Sequence, residues 1–545
     1  MKNRIIAFAV SFMATIAFSI ESLFAGEATD NSLTAFPWWK HCKNPLPDNI
    51  YYTDWHNISL VMWLAIALMA IAFVAYTANH LAKRKRPLTD TRVNLFLLFL
   101  IIILTIFLGY NGFADKSQDP VTFFFNALKP SEGENILTIL WSGFYAPLVR
   151  MFSANENIIY IPARIFGIIN IVLVYQLSEL IFNRSRQSLL AALVFAMSLA
   201  NLKFFSTDVP TQQTCTLVLL VATSISGKAY AHKTIFSIFS IVFTSFAVML
   251  LPALAIPVAI FTGLFIFSTT AKTDQSRAIL TVFVTISMGL YFFFRIYPVY
   301  KVPFVLHLIP DVTNLSILFV AVTISGLYFA RKSKQYSSFI LAASAIAMLF
   351  IVPILPQNLI ANSAWLIIPL TLLSPIAGHG IYNIAAWTGQ KQFFVIVIII
   401  VLLILPTYLQ LKKIEPSPEV KRYRFMKITI ETIKQEKSVI YKSEKRHPLY
   451  APFPEFLAKH GESPCIRPRQ AIASDPKSHG TRWIYFGPEC IFEKPQSPPK
   501  PDSCQFYKSI YTLGDCISTT IPLHDNDGNI VAEEKHEFCK VTGRK

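Results

Sequence analysis

The stretch Ile161-Pro-Ala-Arg-Ile-Phe-Gly-Ile-Ile-Asn-Ile-Val-Leu-Val-Tyr-Gln-Leu-Ser-Glu-Leu-Ile-Phe182 decides the fold. It is followed by Asn183-Arg-Ser-Arg186 and then by Gln187-Ser-Leu-Leu-Ala-Ala-Leu-Val-Phe-Ala-Met-Ser198. An apolar run of about 18 residues or more crosses a bilayer as a helix. Two such runs joined by a short basic turn read as a pair of membrane spans.

Working outward, further spans are expected near 58–80, 93–110, 212–227, 234–251, 254–270, 278–297, 313–330, 337–356, 363–383 and 393–409, beside 158–182 and 187–204. Lys83-Arg-Lys-Arg86, Arg184 with Arg186, Lys228 with Lys233, Lys272 with Arg277, Arg331 to Lys334, and Lys391 fall in alternate loops. All six lie on the side of Lys2 and Arg4, as the positive-inside rule requires. The long loop after Gly109 and everything after Leu411 therefore belong outside. The first 26 residues read either as a signal peptide cleaved after Ala25 or as an uncleaved first span.

Composition agrees. The chain has 545 residues, 53% hydrophobic and 15% charged, against about 25% charged in a soluble protein. The net charge of +17 sits in inner-loop clusters and the tail, which encodes topology and excludes a nucleic-acid partner. The fold class is an all-α polytopic membrane bundle of about 12–13 transmembrane helices. A small α+β extracytoplasmic C-terminal domain follows. The divisions are 1–26, an outer segment with an extra span at 27–92, a transmembrane domain at 93–410 with a long outer loop at 111–157, and the tail at 411–545.

In the tail, Arg422 to Gln435 reads as a helix, Ser438 to Tyr441 and Trp483 to Phe486 as strands, and His524 to Asn529 as a hairpin turn. Asp525, Asp527 and Gly528 lack the closing acid of a calcium loop. Cys215 lies in a span. Cys42, Cys465, Cys490, Cys504, Cys516 and Cys539 lie outside, an even number in an oxidising compartment. Disulfides are expected within the tail, with Cys42 a further candidate to join it. No C-x-x-C pair points to zinc.

Chemistry is expected at the outer surface. The loop carries Asp115, Asp119, Lys129 and Arg150; Arg164 starts a span; Asp208 occupies a very short loop; Arg295 and Lys301 lie near another outer boundary. A carboxylate beside a bound hydroxyl acts as a general base, and cations stabilise a departing phosphate. Trp141, Phe144 and Tyr145 are expected as interfacial anchors, on an amphipathic surface helix from Ile136 to Met151 that follows another from Val121 to Leu128.

The Ile161–Phe182 and Leu189–Ser198 runs, with their Arg-x-x-Gly, Val-Tyr-x-Leu and Leu-Ala-Ala-Leu elements, resemble the core of the GT-C superfamily. Its members are polytopic glycosyltransferases that use polyprenyl-phosphate sugars. Asp208-Val-Pro210 resembles the Asp-x-Pro of the branch containing protein O-mannosyltransferases and the aminoarabinose transferase of lipid A. The resemblance implies a catalytic outer-loop acid at Asp119 or Asp115, a second acid at Asp208 and the span-opening arginine at Arg164. It also implies a phosphate contact at Lys129-Pro130. The implied partners are the lipid bilayer, a lipid-linked sugar donor and a glycan, lipid or protein acceptor. The signal-like start and short loops point to a bacterial inner membrane, with the N-terminus cytoplasmic if uncleaved and the tail periplasmic. No metal ligand set is recognised, although an acid pair can hold a divalent ion. Two alternatives stand beside the enzyme: a lipid-linked glycan transporter or flippase, and a non-catalytic GT-C-like scaffold, for which Pro120 after Asp119 is the main argument.

Overall fold

A computed structural model describes residues 54–82, 88–109, 140–145, 148, 156–205, 209–231, 234–250, 254–267, 286–287, 317–333, 335–351, 366–413, 418–434, 438–443, 465–473, 480–490, 497–499, 503–524 and 530–545. The membrane part is helical throughout these residues. Its helices are α1 (Asp54–Ala82), α2 (Leu88–Gly109), α3 (Glu156–Phe182), α4 (Ser185–Ala196), α5 (Leu199–Phe204) and α6 (Val209–Ala231). They continue with α7 (Thr234–Leu250), α8 (Ala255–Phe267), α9 (Ile317–Lys332), α10 (Ser337–Ile351), α11 (Ile367–Trp387) and α12 (Gln392–Lys413). Among the described residues, four helices are long and apolar enough to cross a membrane: His56–Asn79, Ile161–Phe182, Ile367–Trp387 and Gln392–Leu409. The chain is an integral membrane protein of the polytopic helical class. The span expected at 278–297 lies outside the described residues apart from 286–287.

One expected span is corrected. Residues 187–204 do not form a single helix, because Ser198 leaves helical geometry at φ −65° and ψ 142°. Its hydroxyl donates to the Phe195 carbonyl at 2.8 Å and accepts the Asn201 N–H at 3.3 Å. A serine that offers the backbone this local alternative ends one helix and caps the next. At the other end of α4, Asn183 takes a left-handed φ of 54°, which asparagine tolerates. The chain thereby reverses between α3 and α4 within two residues.

Helix directions follow from side-chain contacts. Trp63 meets Phe166 edge-on at 5.3 Å, and further along both helices the Gln176 side-chain amide donates to the Val74 carbonyl at 3.0 Å. The contacts advance together, so α1 and α3 run parallel, as the alternation of basic loops requires. Deeper in α1, Phe73 packs edge-on against Phe236, Phe239 and Phe243 of α7.

The C-terminal domain begins with α13 (Pro418–Lys434). Strands β1 (Ser438–Lys442), β2 (Cys465–Pro468) and β3 (Thr481–Phe486) follow, then α14 (Cys504–Ile510) and the strands β4 (Tyr511–His524) and β5 (Ile530–Arg544). The sheet order is β2-β1-β3-β5-β4, parallel among β1, β2 and β3 and antiparallel from β3 to β5 to β4. Alternation divides each strand between two layers. Ile440, Trp483, Tyr485 and Phe538 join a core with Met426, Ile430 and Ile433 of α13, while Val439, Tyr441, Ile484, Phe486 and Cys539 pack with Cys504 and Tyr507 of α14. Disulfides Cys490–Cys504 and Cys516–Cys539 hold this domain, as expected. Cys42 and the turn residues 525–529 lie outside the described residues, and Cys215 is buried in α6.

Between α13 and the sheet lies a buried ionic group. Arg422 grips Glu534 with Nε at 3.2 Å and Nη2 at 2.9 Å, both side chains being 3% exposed. His536 stands 3.4 Å from Glu534 and 2.8 Å from the Tyr485 hydroxyl. Burial depresses the His536 pKa, and Arg422 adds to this against the opposing pull of Glu534. The folded state therefore favours neutral imidazole. Its contribution is complete above the unfolded pKa of about 6.5 and shrinks by up to about 1.4 kcal/mol per pH unit below it, until the folded pKa is reached. Proteolytic protection of the tail in the full-length protein should fall between pH 7.5 and 5.5, and His536→Gln should flatten that slope. An identical slope in both proteins would remove His536 from the account.

Candidate functional site

Of the expected site residues, Arg164 is described, half-buried on the first turns of α3. Asp115, Asp119, Lys129, Arg150, Asp208, Arg295 and Lys301 lie outside the described residues. Three anchors next to them are described, and they meet.

Phe205 is fully buried directly after α5. A Cβ added to Gly109, the last residue of α2, would lie 3.0 Å from its ring, and one added to Gly167 of α3 would lie 2.7 Å from the ring Cδ2. The ring therefore packs tightly on both helices, and a side chain at Gly167 would force it to shift. The long segment that carries Asp115 and Asp119 departs from Gly109. Asp208 follows Phe205 by three residues, a reach of no more than about 11 Å. Arg164 precedes Gly167 by three residues, about 4.5 Å along the helix axis.

The far end of the loop returns to the same place. The Leu140 carbonyl accepts the Ser59 hydroxyl at 2.9 Å and the Trp63 Nε1–H at 2.8 Å. Trp141 lies 5.5 Å from Trp63, which also touches Phe166. Phe166 and Gly167 are consecutive residues of α3, so both ends of the segment 110–139 are pinned beside one turn of that helix. This corrects the expectation for the aromatic residues. Trp141, Phe144 and Tyr145 are buried at 1%, 6% and 0% exposure, inside protein rather than at a lipid interface. The groove between α1 and α3 supplies the apolar surface, and the two bonds to Leu140 satisfy a carbonyl that lipid would leave bare.

Beneath this junction runs a buried polar band. The Asn170 amide donates to Gln212 Oε1 at 2.9 Å and to the Gln212 carbonyl at 3.0 Å, and its oxygen accepts the Thr216 hydroxyl at 2.7 Å. Gln212 in turn donates to Asn201 at 3.3 Å, and Asn201 donates to the Ala196 carbonyl at 3.1 Å. Polar residues at membrane depth are costly and tend to be functional or to specify packing. Here they lock α6, into which Asp208 leads, against α3 and α5. Sequence reading missed this band, although Thr211-Gln-Gln-Thr214 inside an apolar span was its signal. The neighbouring Gln213 is fully buried, and among the described residues neither of its amide atoms has a hydrogen-bond partner.

A second group escaped notice at the other end of α3. Glu179 is 2% exposed. His379 of α11 stacks on Phe182 at 4.2 Å and shares a 3.1 Å hydrogen bond with Gln187. Among the described residues, Glu489, Cys490 and Cys504 bring ligand-type atoms within 4.8 Å of one another. The two cysteines are joined to each other, so they offer no thiolates to a metal.

Should the flanking segments carry a reaction, Phe205→Leu would lower its rate about tenfold through their displacement, at a stability cost of about 1 kcal/mol. Activity and melting temperature measured on one preparation check this. A melting shift without an activity loss would separate Phe205 from the site.

No family model and no curated protein matches the sequence. By shape, the chain is similar to ArnT from Cupriavidus metallidurans in the apo state (TM-score 0.49, 9% identity), over 83% of this chain and 98% of that one. It is similar to the same protein bound to undecaprenyl phosphate (TM-score 0.45, 11% identity), over 83% and 98%. An oligosaccharyltransferase from Archaeoglobus fulgidus in the apo form matches over 82% of this chain and 75% of that one (TM-score 0.44, 10% identity). With TM-scores below 0.5, the chemistry has to stand on this chain's own residues.

Proposed function

We propose that this chain is an integral-membrane glycosyltransferase that moves a sugar from a polyprenyl-phosphate carrier to an acceptor on the extracytoplasmic face. The observation that carries the reading is the meeting of three segments at one turn of α3. Phe205 touches Gly109 and Gly167 while Trp63 joins Leu140–Trp141 to Phe166. That junction supports the reading because Gly109 is where the loop bearing Asp115 and Asp119 departs, Phe205 stands three residues before Asp208, and Gly167 stands three residues after Arg164.

The chemistry follows from those residue types. Asp119 or Asp115 takes the proton from an acceptor hydroxyl as its oxygen attacks the anomeric carbon, while Asp208 positions the acceptor or the sugar. The bond to the lipid phosphate breaks, and the phosphate leaves as an anion. Arg164, with Lys129, Arg150 and Arg295, stabilises the charge that grows on it. The donor brings its own phosphate leaving group, so no nucleotide-binding loop is required. The tail binds acceptor or covers the site.

The test uses full-length protein in nanodiscs with polyprenyl-phosphate carrying a radiolabelled sugar, in the presence of cell-envelope acceptors. Label should pass from the lipid fraction to the acceptor fraction, and boiled protein should leave it in place. If the native protein leaves the label on lipid across donor sugars and acceptors, the enzymatic reading fails.

A further inference from the structure

Two disulfides among the described residues of the C-terminal domain differ in a feature that governs thiol chemistry. Arg469, 2% exposed, donates from Nη1 to Cys504 Sγ at 3.3 Å. Its position is fixed from several sides. Nη2 pairs with Glu489 Oε1 at 2.7 Å, Nε donates to the Tyr485 carbonyl at 3.1 Å, and the guanidinium lies over the rings of Phe486 and Tyr507 at 5.2 and 5.9 Å. Cys490, the other half of this bridge, is partly exposed, whereas Cys504 is 3% exposed. The bridge thus has an approachable sulfur and a buried sulfur that faces a cation.

Cys516–Cys539 is built differently. Its two residues are direct cross-strand partners on β4 and β5. Cys516 is exposed and its Sγ contacts the Gly514 carbonyl at 3.7 Å, while Cys539 is 2% exposed within the apolar layer under α14, so the two bridges differ at the buried sulfur rather than in access. Among the described residues, no cation touches either sulfur. A thiolate released at Cys539 would be buried and unpaired, which raises its pKa and makes it a poor leaving group.

We propose that Cys490–Cys504 is a thiol-exchange site opened by dithiol reductants, while Cys516–Cys539 is the structural bridge. A thiolate of the dithiol attacks Cys490 Sγ and forms a mixed disulfide. The electron pair of the broken S–S bond leaves on Cys504, whose thiolate receives the Arg469 N–H. The second thiol of the reductant, deprotonated, then attacks the mixed disulfide and releases Cys490 as a thiolate. The reductant departs as its own disulfide, so two electrons pass to the protein. The two protons of the reductant go to solvent or to the new thiolates. A leaving thiol of lower pKa departs faster, and a fixed guanidinium lowers that pKa. Opening the bridge frees α14 from the segment that follows β3. None of this depends on the transferase reading.

The experiment treats folded full-length protein with dithiothreitol, quenches by alkylation, and follows each bridge by mass spectrometry. Cys490–Cys504 should open at least about tenfold faster than Cys516–Cys539. Arg469→Met should slow the first bridge relative to the second, which serves as an internal reference. Should that variant unfold, both bridges would open faster together, and Glu489→Gln then decides. Freeing Arg469 from its carboxylate should accelerate Cys490–Cys504 alone. Equal rates in the native protein, earlier opening of Cys516–Cys539, or no change in Glu489→Gln would each overturn the proposal.

Discussion

Asp208→Asn is expected to lower sugar transfer by about a hundredfold or more, with a melting temperature close to that of the native protein. Asparagine keeps the volume and hydrogen-bonding reach of aspartate but cannot hold a proton or a full negative charge. Asp208 comes three residues after the buried Phe205 and directly before α6 in the sequence. The polar band of Asn170, Asn201 and Gln212 fixes the start of that helix. Those neighbours hold the start of α6 without using Asp208, so the expected melting temperature is close to native. The same assay separates the two loop aspartates. One of Asp115→Asn and Asp119→Asn should fall as far as Asp208→Asn, while the other stays near native. A loss that tracks a drop in melting temperature would instead assign these residues to structure.

Gly380→Leu is expected to yield no folded protein. A Cβ at this position would overlap the Val322 carbonyl oxygen and lie 2.8 Å from the Gly326 nitrogen, and one at Gly326 would overlap the Ile376 carbonyl. Helices α9 and α11 therefore touch backbone to backbone, the arrangement that small residues allow in membranes. On another face of α11, Gly378 lies against Ala191 of α4, where a Cβ would come 2.8 Å from the Ala191 Cα. The centre of the bundle thus cannot move away from a new side chain on one face without disturbing another. Overpacking by a methylene or two costs about 1–3 kcal/mol. A leucine driven into the α9 backbone far exceeds that and approaches a total stability of about 5–15 kcal/mol. Size-exclusion profile and thermal scanning fluorescence check it. A monodisperse Gly380→Leu protein with native melting would mean that α9 and α11 do not approach this closely.

Much of the membrane architecture was legible because hydropathy and charge alternation act over whole helices. The spans at α1, α3, α11 and α12 lie within a few residues of their expected positions, and α1 and α3 run parallel as the basic loops require. In the tail, α13 and the strands β1 and β3 were also visible, since a continuous apolar run such as Trp483-Ile-Tyr-Phe486 marks a strand buried on both faces, whereas β2, β4, β5 and α14 were not read. Ser198 was missed because a hydropathy window averages over one serine, while the break depends on hydrogen bonds to Phe195 and Asn201. Trp141 and Tyr145 were misassigned because an amphipathic pattern does not say whether its apolar face meets lipid or protein. Trp63, far away in sequence, provides that surface. Arg422 and Glu534 were invisible as a pair because their contact spans 112 residues.

The central claim is that the loop after Gly109 and the Asp208 segment share one site. Cysteine-pair cross-linking in the full-length protein with a short bifunctional maleimide tests it most directly. Asp208→Cys should cross-link to Asp115→Cys or Asp119→Cys, as the control pair Trp63→Cys and Trp141→Cys does, whose native rings lie 5.5 Å apart. Cross-linking of the control pair together with none between position 208 and either loop position would contradict a shared site.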